Sequence, residues 1–454
     1  MHKLQRFSGA LAVMAVLSAS ACSDFVTGGE LTTDPNRPTS ATNGQLFLGI
    51  QANAWETHTA GLARLSGYLT QQLNGTNSIP VGQYQYNVGE GFGGLRAIYG
   101  GGGLKDLRTL QASVRSTGDS VFLGITQVQE ALLVSMAADA WGDITYSDAL
   151  SGAPNPALDD QLAIFDKLQL LLDTAIINLG ATGPTNFGPG TLDASYQGNA
   201  ARWRRLANTL KARMYMHDAE VPARATAAAT YTPAINAGLN GILLAADDFK
   251  SIYTGVSGSQ NPWFQIVPVR GIFPDRTLDS IMTSRSDPRR AQYFVITGGV
   301  ATAISAARLA NNFPQPIATA IETNLILAEA YYRSGNEVNA NARLNTARGL
   351  AGLGNVVAAG STLLQEILTE EYINDFQLGV EAWKLYRRTC FPNIASKSPT
   401  GLPMPGRVPY DGAERLSNSN MPAVGTGING LRNKNDPPNA APEVGGGASC
   451  RAGA

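Results

Sequence analysis

Three histidines in 454 residues, at positions 2, 58 and 217, leave little from which to build a His-based metal or acid/base centre. A Ser-His-Asp arrangement has to draw on His58 or His217, and both sit in helical patterns where packing or a helix surface explains them. Paired carboxylates are the other route to bond cleavage, since glycosidases flank the scissile bond with two acids. The pairs on offer are Asp139/Asp143, Asp159/Asp160 and Glu370/Glu371. A helix cap accounts for Asp159/Asp160, a solvated helix face for Glu370/Glu371, and local turn bonding for Asp143, so no catalytic residue is assigned. Gly89-Glu90-Gly91-Phe92-Gly93-Gly94 satisfies G-x-G-x-x-G, yet it lacks the strand before it and the unbroken helix after it that a dinucleotide site requires. Gly100–Gly103 is followed by Leu104-Lys105, which is not a P-loop order. The sequence contains no G-x-S-x-G, H-E-x-x-H or C-x-x-C. Neither a metal nor a cofactor is expected.

Aromatic side chains carry more information. Tyr84, Tyr86, Phe92 and Tyr99 fall in one loop-rich region, and Tyr253, Trp263 and Phe264 in another. Flat rings on loops stack on the apolar faces of sugars, while Asn, Gln and Ser bond the hydroxyls. On this ground Tyr84, Tyr86 and Trp263 are the expected ligand contacts; the alternative is that the rings plug loop bases onto the core. Cys390 and Cys450 either pair, closing a loop of about 60 residues worth roughly 4 kcal/mol, or stand as two thiols.

The elements that must position these residues are mainly helical. The chain has 34 basic and 35 acidic side chains, 44% apolar residues and only 15% charged ones. With no basic surplus it is a poor nucleic-acid binder, and it is too apolar to be disordered. Lys3 and Arg6, the apolar run Ala10–Leu17 and the small residues Ser18–Ala21 before Cys22 form a secretory signal. Its form resembles a bacterial lipoprotein signal: residues 1–21 are the signal peptide, Cys22 is lipidated, and Ser23 after it favours the outer membrane. Residues 22–42 read as a tether, and residues 43–454 as a single helical domain. The periodicity predicts helices over Asn43–Leu73, Leu95–Tyr99, Leu104–Val114, Val121–Trp141, Ile164–Leu179, Ala200–Asp218, Ala318–Ser334, Glu337–Leu350 and Thr362–Tyr386. Gly142 is expected to cap its helix in the left-handed conformation. From Tyr231 to Phe313 the pattern dissolves into loops with short β-like runs such as Tyr293–Ile296, and after Pro392 it is almost all loop.

A 34-residue helical repeat lies within this pattern. With Ala328 at the eighth position of a tetratricopeptide unit, Leu327, Tyr331, Ala340, Leu344 and Ala347 fall on the seventh, eleventh, twentieth, twenty-fourth and twenty-seventh, and Gly335-Asn336 makes the turn. A weaker copy begins at Trp203, with Leu206 and Ala207 in register. Each unit needs neighbours to bury its face, so several helical pairs are expected to stack.

Five segments appear in an order that resembles one family: Thr33-Asp34-Pro35-Asn36; Ala138-Asp139-Ala140-Trp141-Gly142-Asp143 through Ala149; Trp203 through Arg213; Ala328-Glu329-Ala330-Tyr331-Tyr332 through Gly335; and Glu381-Ala382-Trp383-Lys384-Leu385-Tyr386-Arg387-Arg388-Thr389 before Phe391-Pro392. Together they are similar to the SusD/RagB-like outer-membrane nutrient-binding lipoproteins, in the subgroup with an Arg-Arg-Thr-x-x-Pro ending. The resemblance implies a mainly α fold, a SusD-like α-α superhelix of stacked tetratricopeptide-like pairs with long Gly/Pro-rich loops. It implies a non-enzymatic cell-surface protein that binds a glycan, or in some members a peptide, and hands it to a SusC-like TonB-dependent outer-membrane transporter. Trp141 is then expected to pack a helix end, and Arg387 and Arg388 to bond carbonyls or acids. The competing readings are a secreted helical glycoside hydrolase and a tetratricopeptide scaffold in envelope assembly.

Overall fold

The computed structural model describes residues 41–88, 94–422, 431–436 and 444. The signal peptide, Cys22, nearly all of the tether, Gly89–Gly93 with Phe92, and Cys450 lie outside them. The chain divides into two compact units, Met1–Gln45 and Leu46–Ala454. Within the first, Thr42 and Gln45 form a reciprocal cap: Gln45 N donates to Thr42 Oγ1 (3.3 Å) and Thr42 N to Gln45 Oε1 (2.9 Å).

The helices in chain order are α1 (Asn43–Thr59), α2 (Gly61–Leu69), α3 (Ser78–Tyr84), α4 (Leu95–Tyr99), α5 (Leu104–Thr117), α6 (Ser120–Trp141), α7 (Gln161–Asn178), α8 (Ala200–Asp218) and α9 (Thr232–Gly238). They continue with α10 (Pro262–Arg270), α11 (Arg276–Ser284), α12 (Arg289–Tyr293), α13 (Ala320–Arg333), α14 (Glu337–Leu350), α15 (Gly360–Asn374), α16 (Glu381–Thr389) and α17 (Gly412–Ser417). Six short strands pair two by two, all antiparallel: β1 (Leu73–Gly75) with β3 (Ile272–Pro274), β2 (Phe249–Ser251) with β6 (Gln315–Ala318), and β4 (Phe294–Thr297) with β5 (Val300–Ile304).

The fold is mainly α, and its backbone is a stack of helical pairs. α6 packs on α7, α8 on α9, α13 on α14 and α15 on α16, while α7 against α8, α9 against α13 and α13 against α15 join one pair to the next. The repeat register explains how. Ala328, Ala340, Leu344 and Ala347 close on one another inside the α13/α14 pair, together with Leu325, Leu363 and Ile367. Leu327 instead faces the preceding pair, where a Cβ on Gly238 of α9 would lie 2.9 Å from its Cδ2. Small residues therefore set the interhelical distance, and large ones fill it. The pair turns at Gly335, whose φ of 77° suits glycine, and α13 begins in a capping box of Thr319 and Glu322. α6 is buried nearly all round, polar side chains such as Gln127, Gln129, Glu130 and Asp139 included, and 94% of its most apolar stretch is buried.

Several boundaries differ from the periodic reading. Asn43–Leu73 is two helices, broken at Ala60, which takes φ −102° and ψ −109°. Thr362–Tyr386 is also two, because Gln377 and Gly379 take positive φ between them. The stretch 231–313 holds α9 to α12 as well as the β4–β5 hairpin, since these helices are too short to show a period. Gly142 has the positive φ expected (82°), but its ψ of −122° lies outside the left-handed helical well. Cys390 is disulfide-bonded and is not a free thiol.

The last helices return to the first ones. α16 packs on α2, Trp383 N donates to Ser66 Oγ (3.1 Å), Gln72 Nε2 donates to Tyr372 O (2.6 Å), and the Tyr372 hydroxyl donates to Thr70 O (2.9 Å). The α1/α2 arm is thus held by residues some 300 positions away.

Candidate ligand-binding cleft

A cleft of about 600 Å³ opens where α1, α2, α3 and the α10–β3 turn meet. Its walls follow from helical spacing. Asn53, Glu56 and Thr57 of α1 and Gly61, Arg64 and Tyr68 of α2 recur at intervals of one to four residues across the Ala60 break, which keeps them on one side. α3 adds Ser78, Ile79, Gly82 and Gln83, and α10 adds Ile266 and Arg270, four apart. α10 is fixed at both ends: Asn261 Oδ1 accepts from Trp263 N (2.8 Å), and Gly271 ends the helix at φ 57°. Thr76 N then donates to Gly271 O (3.1 Å) and Asn77 Nδ2 to Val269 O (2.7 Å), stitching the 74–77 loop to the end of α10. A side chain at Gly271 would meet Thr76 Oγ1 at 2.1 Å, so this approach needs glycine.

The rings expected to stand free sit differently. Trp263 is fully buried and donates from Nε1 to Thr59 O (2.6 Å), tying α10 to the end of α1. Its ring lies behind the cleft, with the Arg64 guanidinium carbon 6.0 Å from the ring centre on the cleft side. Tyr86 is buried, at φ 65°. Tyr84, half-buried, donates its hydroxyl to Asp275 Oδ2 (2.7 Å). Neither Tyr86 nor Trp263 presents a ring face to solvent; they plug loop bases onto the core. Tyr253 bonds Thr59 Oγ1 (2.6 Å) and packs edge-on to Trp55. An indole on a loop reads the same in sequence whether it faces solvent or core, so only the fold separates the two.

The residues missed in the sequence are the charged ones. Among the described residues, Glu56, Arg64 and Arg270 are the cleft's charged lining, a net of +1 (two cations less one anion) in a chain whose net charge is −1. Among the described residues, no carboxylate lies within 4.0 Å of either guanidinium, and the buried Arg64 Nη1 has no hydrogen-bond partner. Burial lowers the Arg64 pKa from its ordinary value, partly offset by Tyr68 and Glu56, while nearby Arg270 lowers it further. Burial also pushes the Glu56 carboxyl up against the pull of Arg64. Gln83 and Asn87 add amides with no side-chain hydrogen bond among the described residues. Nothing in a sequence marks an arginine that lacks a partner.

Four of the five segments that carried the family resemblance meet elsewhere, inside the helical stack; Thr33–Asn36 lies outside the described residues. Asp139 of α6 accepts from His217 Nδ1 (2.8 Å) and lies 3.2 Å from Lys384 Nζ; His217 Nε2 reaches Glu381 Oε2 (2.9 Å). Arg213 donates to both oxygens of Glu322 (2.5 and 2.8 Å). Arg387 donates to Asp139 O (2.7 Å) and pairs with Glu220 and Asp436 (both 2.9 Å), and Arg388 pairs with Glu329 and Glu371. Trp141 is buried at the end of α6. Burial opposes a charge on His217, but Asp139 and Glu381 overcome it and push its pKa up to about 9. Burial drives the Glu371 and Asp375 carboxyls well above the usual range, reinforced by Glu329 and Glu381 respectively. About 40 Å³ of space remains among these side chains.

The carboxylates weighed for hydrolysis are thus bound up in structure. Glu370 and Glu371 are buried rather than solvated, Glu370 pairing with Arg285 (2.9 Å), Arg289 (2.7 Å) and Arg348. Asp143 accepts from Gln161 N (2.9 Å) and pairs with Lys434 (2.7 Å) rather than closing a local turn. Asp160 caps α7 as expected. Among the described residues, no group of three or more His, Cys, Asp or Glu side chains is placed to hold a metal ion.

No curated protein matches the chain by sequence. Among solved structures, a chitin-binding SusD homologue from Flavobacterium johnsoniae superposes with a TM-score of 0.68 at 20% identity, over 83% of this chain and 94% of that one. A SusD/RagB family protein from Bacteroides thetaiotaomicron gives 0.66 at 19% identity, over 86% and 98%. A Bacteroidetes SusD-like protein gives 0.71 at 15% identity, over 87% and 100%. At these identities the likeness is one of fold. The family model SusD-like_2, described as starch-binding and associating with the outer membrane, matches residues 35–411, and the chain belongs to this SusD/RagB-like family.

Proposed function

We propose that the protein captures a glycan in the α1/α2/α3/α10 cleft and delivers it to a SusC-like TonB-dependent transporter, held at the cell surface of the outer membrane by a lipid on Cys22. The family match over residues 35–411 carries this reading. The cleft supports it physically: it is open, walled by four elements, and offers amides beside guanidinium groups, as hydroxyl-rich ligands require. The chitin-binding relative lends further support to a saccharide ligand. Capture requires no bond cleavage, and the buried, ion-paired carboxylates are consistent with that.

Titration calorimetry of the full chain against a panel of neutral and acidic oligosaccharides tests the reading. Saturable binding without hydrolysis products is expected, together with co-purification of a large β-barrel protein from solubilised outer membrane. Release of shortened sugars would support the hydrolase instead, and recovery of envelope-assembly proteins with no β-barrel would support the scaffold. Cys22→Ala is expected to move the protein out of the membrane fraction.

A further inference from the structure

Two other hollows on the surface hold ion-paired charges, although Arg204 in the second has no carboxylate in ion-pair contact among the described residues. One of about 430 Å³ between the α11–α12 turn, α14 and α15 is bordered by Arg285 and Arg348, paired to Glu366 and Glu370. Another of about 770 Å³, over α7, α8 and α9, holds Asp247 bonded by both Arg202 (3.0 Å) and Arg205 (3.1 Å). The cleft alone among these is lined by two half-buried guanidinium groups with, among the described residues, no carboxylate in ion-pair contact with either, and Arg270 acts on Arg64 as a like charge.

Holding two like charges together in a partly desolvated pocket costs free energy that a bound counter-charge removes. The Arg64 side is rigid: its helix is pinned by Trp383 and Tyr372, and Trp263 backs the guanidinium. Arg270 sits at the end of α10, where the Gly271 turn fixes its direction of approach. A guanidinium offers its fork of N–H donors to planar carboxylates or to sulfate oxygens, and two forks across one gap suit a single shared anion. Among the described residues the lining carries a net charge of +1, which favours a negatively charged substituent.

We infer that the cleft selects an acidic saccharide, seating one monoanionic sugar substituent, a uronate carboxylate or a sulfate ester, between Arg64 and Arg270. This rests on the glycan-capture reading and narrows it, since the low overall charge of the chain points to a neutral ligand. Glu56, across the cleft, is left to accept from ring hydroxyls.

The test is calorimetry of the full chain with four probes: chitotetraose, tetragalacturonate, a sulfated tetrasaccharide of matched length, and an acidic tetrapeptide. An acidic sugar is expected to bind at least about tenfold more tightly than chitotetraose at low salt, with the advantage shrinking at 0.5 M salt. Arg270→Gln is expected to remove about tenfold of that affinity, with a far-UV circular dichroism spectrum and melting temperature like the parent's reporting that the variant is folded. Arg64→Lys, which keeps the charge but not the fork, is expected to lose most with the carboxylate sugar and less with the sulfated one, separating the two anions. Chitotetraose binding as well as or better than the acidic sugars, or an Arg270→Gln variant that binds them normally, overturns the inference while glycan capture stands. Binding of the tetrapeptide alone, or of none of the four, overturns both.

Discussion

Arg387, inside the helical stack, donates to the Asp139 carbonyl and pairs with Glu220 and Asp436, whereas Arg270, at the cleft, has no carboxylate within ion-pair distance among the described residues. The interior leaves about 40 Å³ among its charges; the cleft leaves about 600 Å³ beside its own. In the stack, cations and anions from α6, α8, α13, α15 and α16 neutralise one another and fix which helix meets which. In the cleft, cations from α2 and α10 line one open space. The same residue type therefore serves assembly where it is matched, and recognition where it is not.

That contrast breaks most sharply under substitution. Arg387→Met takes one cation from Glu220, which keeps Lys384, and one from Asp436, and removes a donor from the Asp139 carbonyl; it is expected to cost about 3–5 kcal/mol in denaturant unfolding, and a loss near zero would mean that the network is not structural. The proton on His217 comes next. Its folded pKa of about 9 lies above the unfolded value near 6.5, so its contribution is fully present below about pH 6.5 and is lost as pH rises through 9. Buried His58, held near 4, works in the opposite direction, and its effect is complete by about pH 6.5. A melting temperature that falls between pH 6.5 and 9 in the parent, and falls less in His217→Gln, is the expected outcome. Arg270→Gln is expected to be the mildest, within about 0.5 kcal/mol of the parent in the same unfolding measurement. A large loss there would show that Arg270 holds the fold together and would erase the distinction.

The sequence announced the stack far better than the cleft. Ala328, Ala340, Leu344 and Ala347 are local and periodic, and the Asp160 cap lies beside the residues it serves, so neighbours in the chain suffice to read them. The break between α15 and α16 was hidden because apolar residues continue through it, from Tyr372 and Ile373 to Phe376 and Leu378. The cleft is drawn from residues 53–97 and 266–272, which no period connects. Its aromatic signal misled for a related reason: Trp263 closes the core behind the cleft and not the face in front of it.

The hold of α15 and α16 on α2 has a consequence for how the molecule is made. As the chain emerges, α1 and α2 come first, yet Ser66, Thr70 and Gln72 meet their partners Trp383 and Tyr372 only some 300 residues later. Middle pairs such as α6/α7 and α8/α9 can zip up from near neighbours, whereas the arm that walls the cleft has to wait for the far end of the chain. Closing so long a loop comes after the local contacts have formed, so a chain cut short before α15 is expected to carry the cleft's walls without the Tyr372 and Trp383 contacts that hold α2 in place.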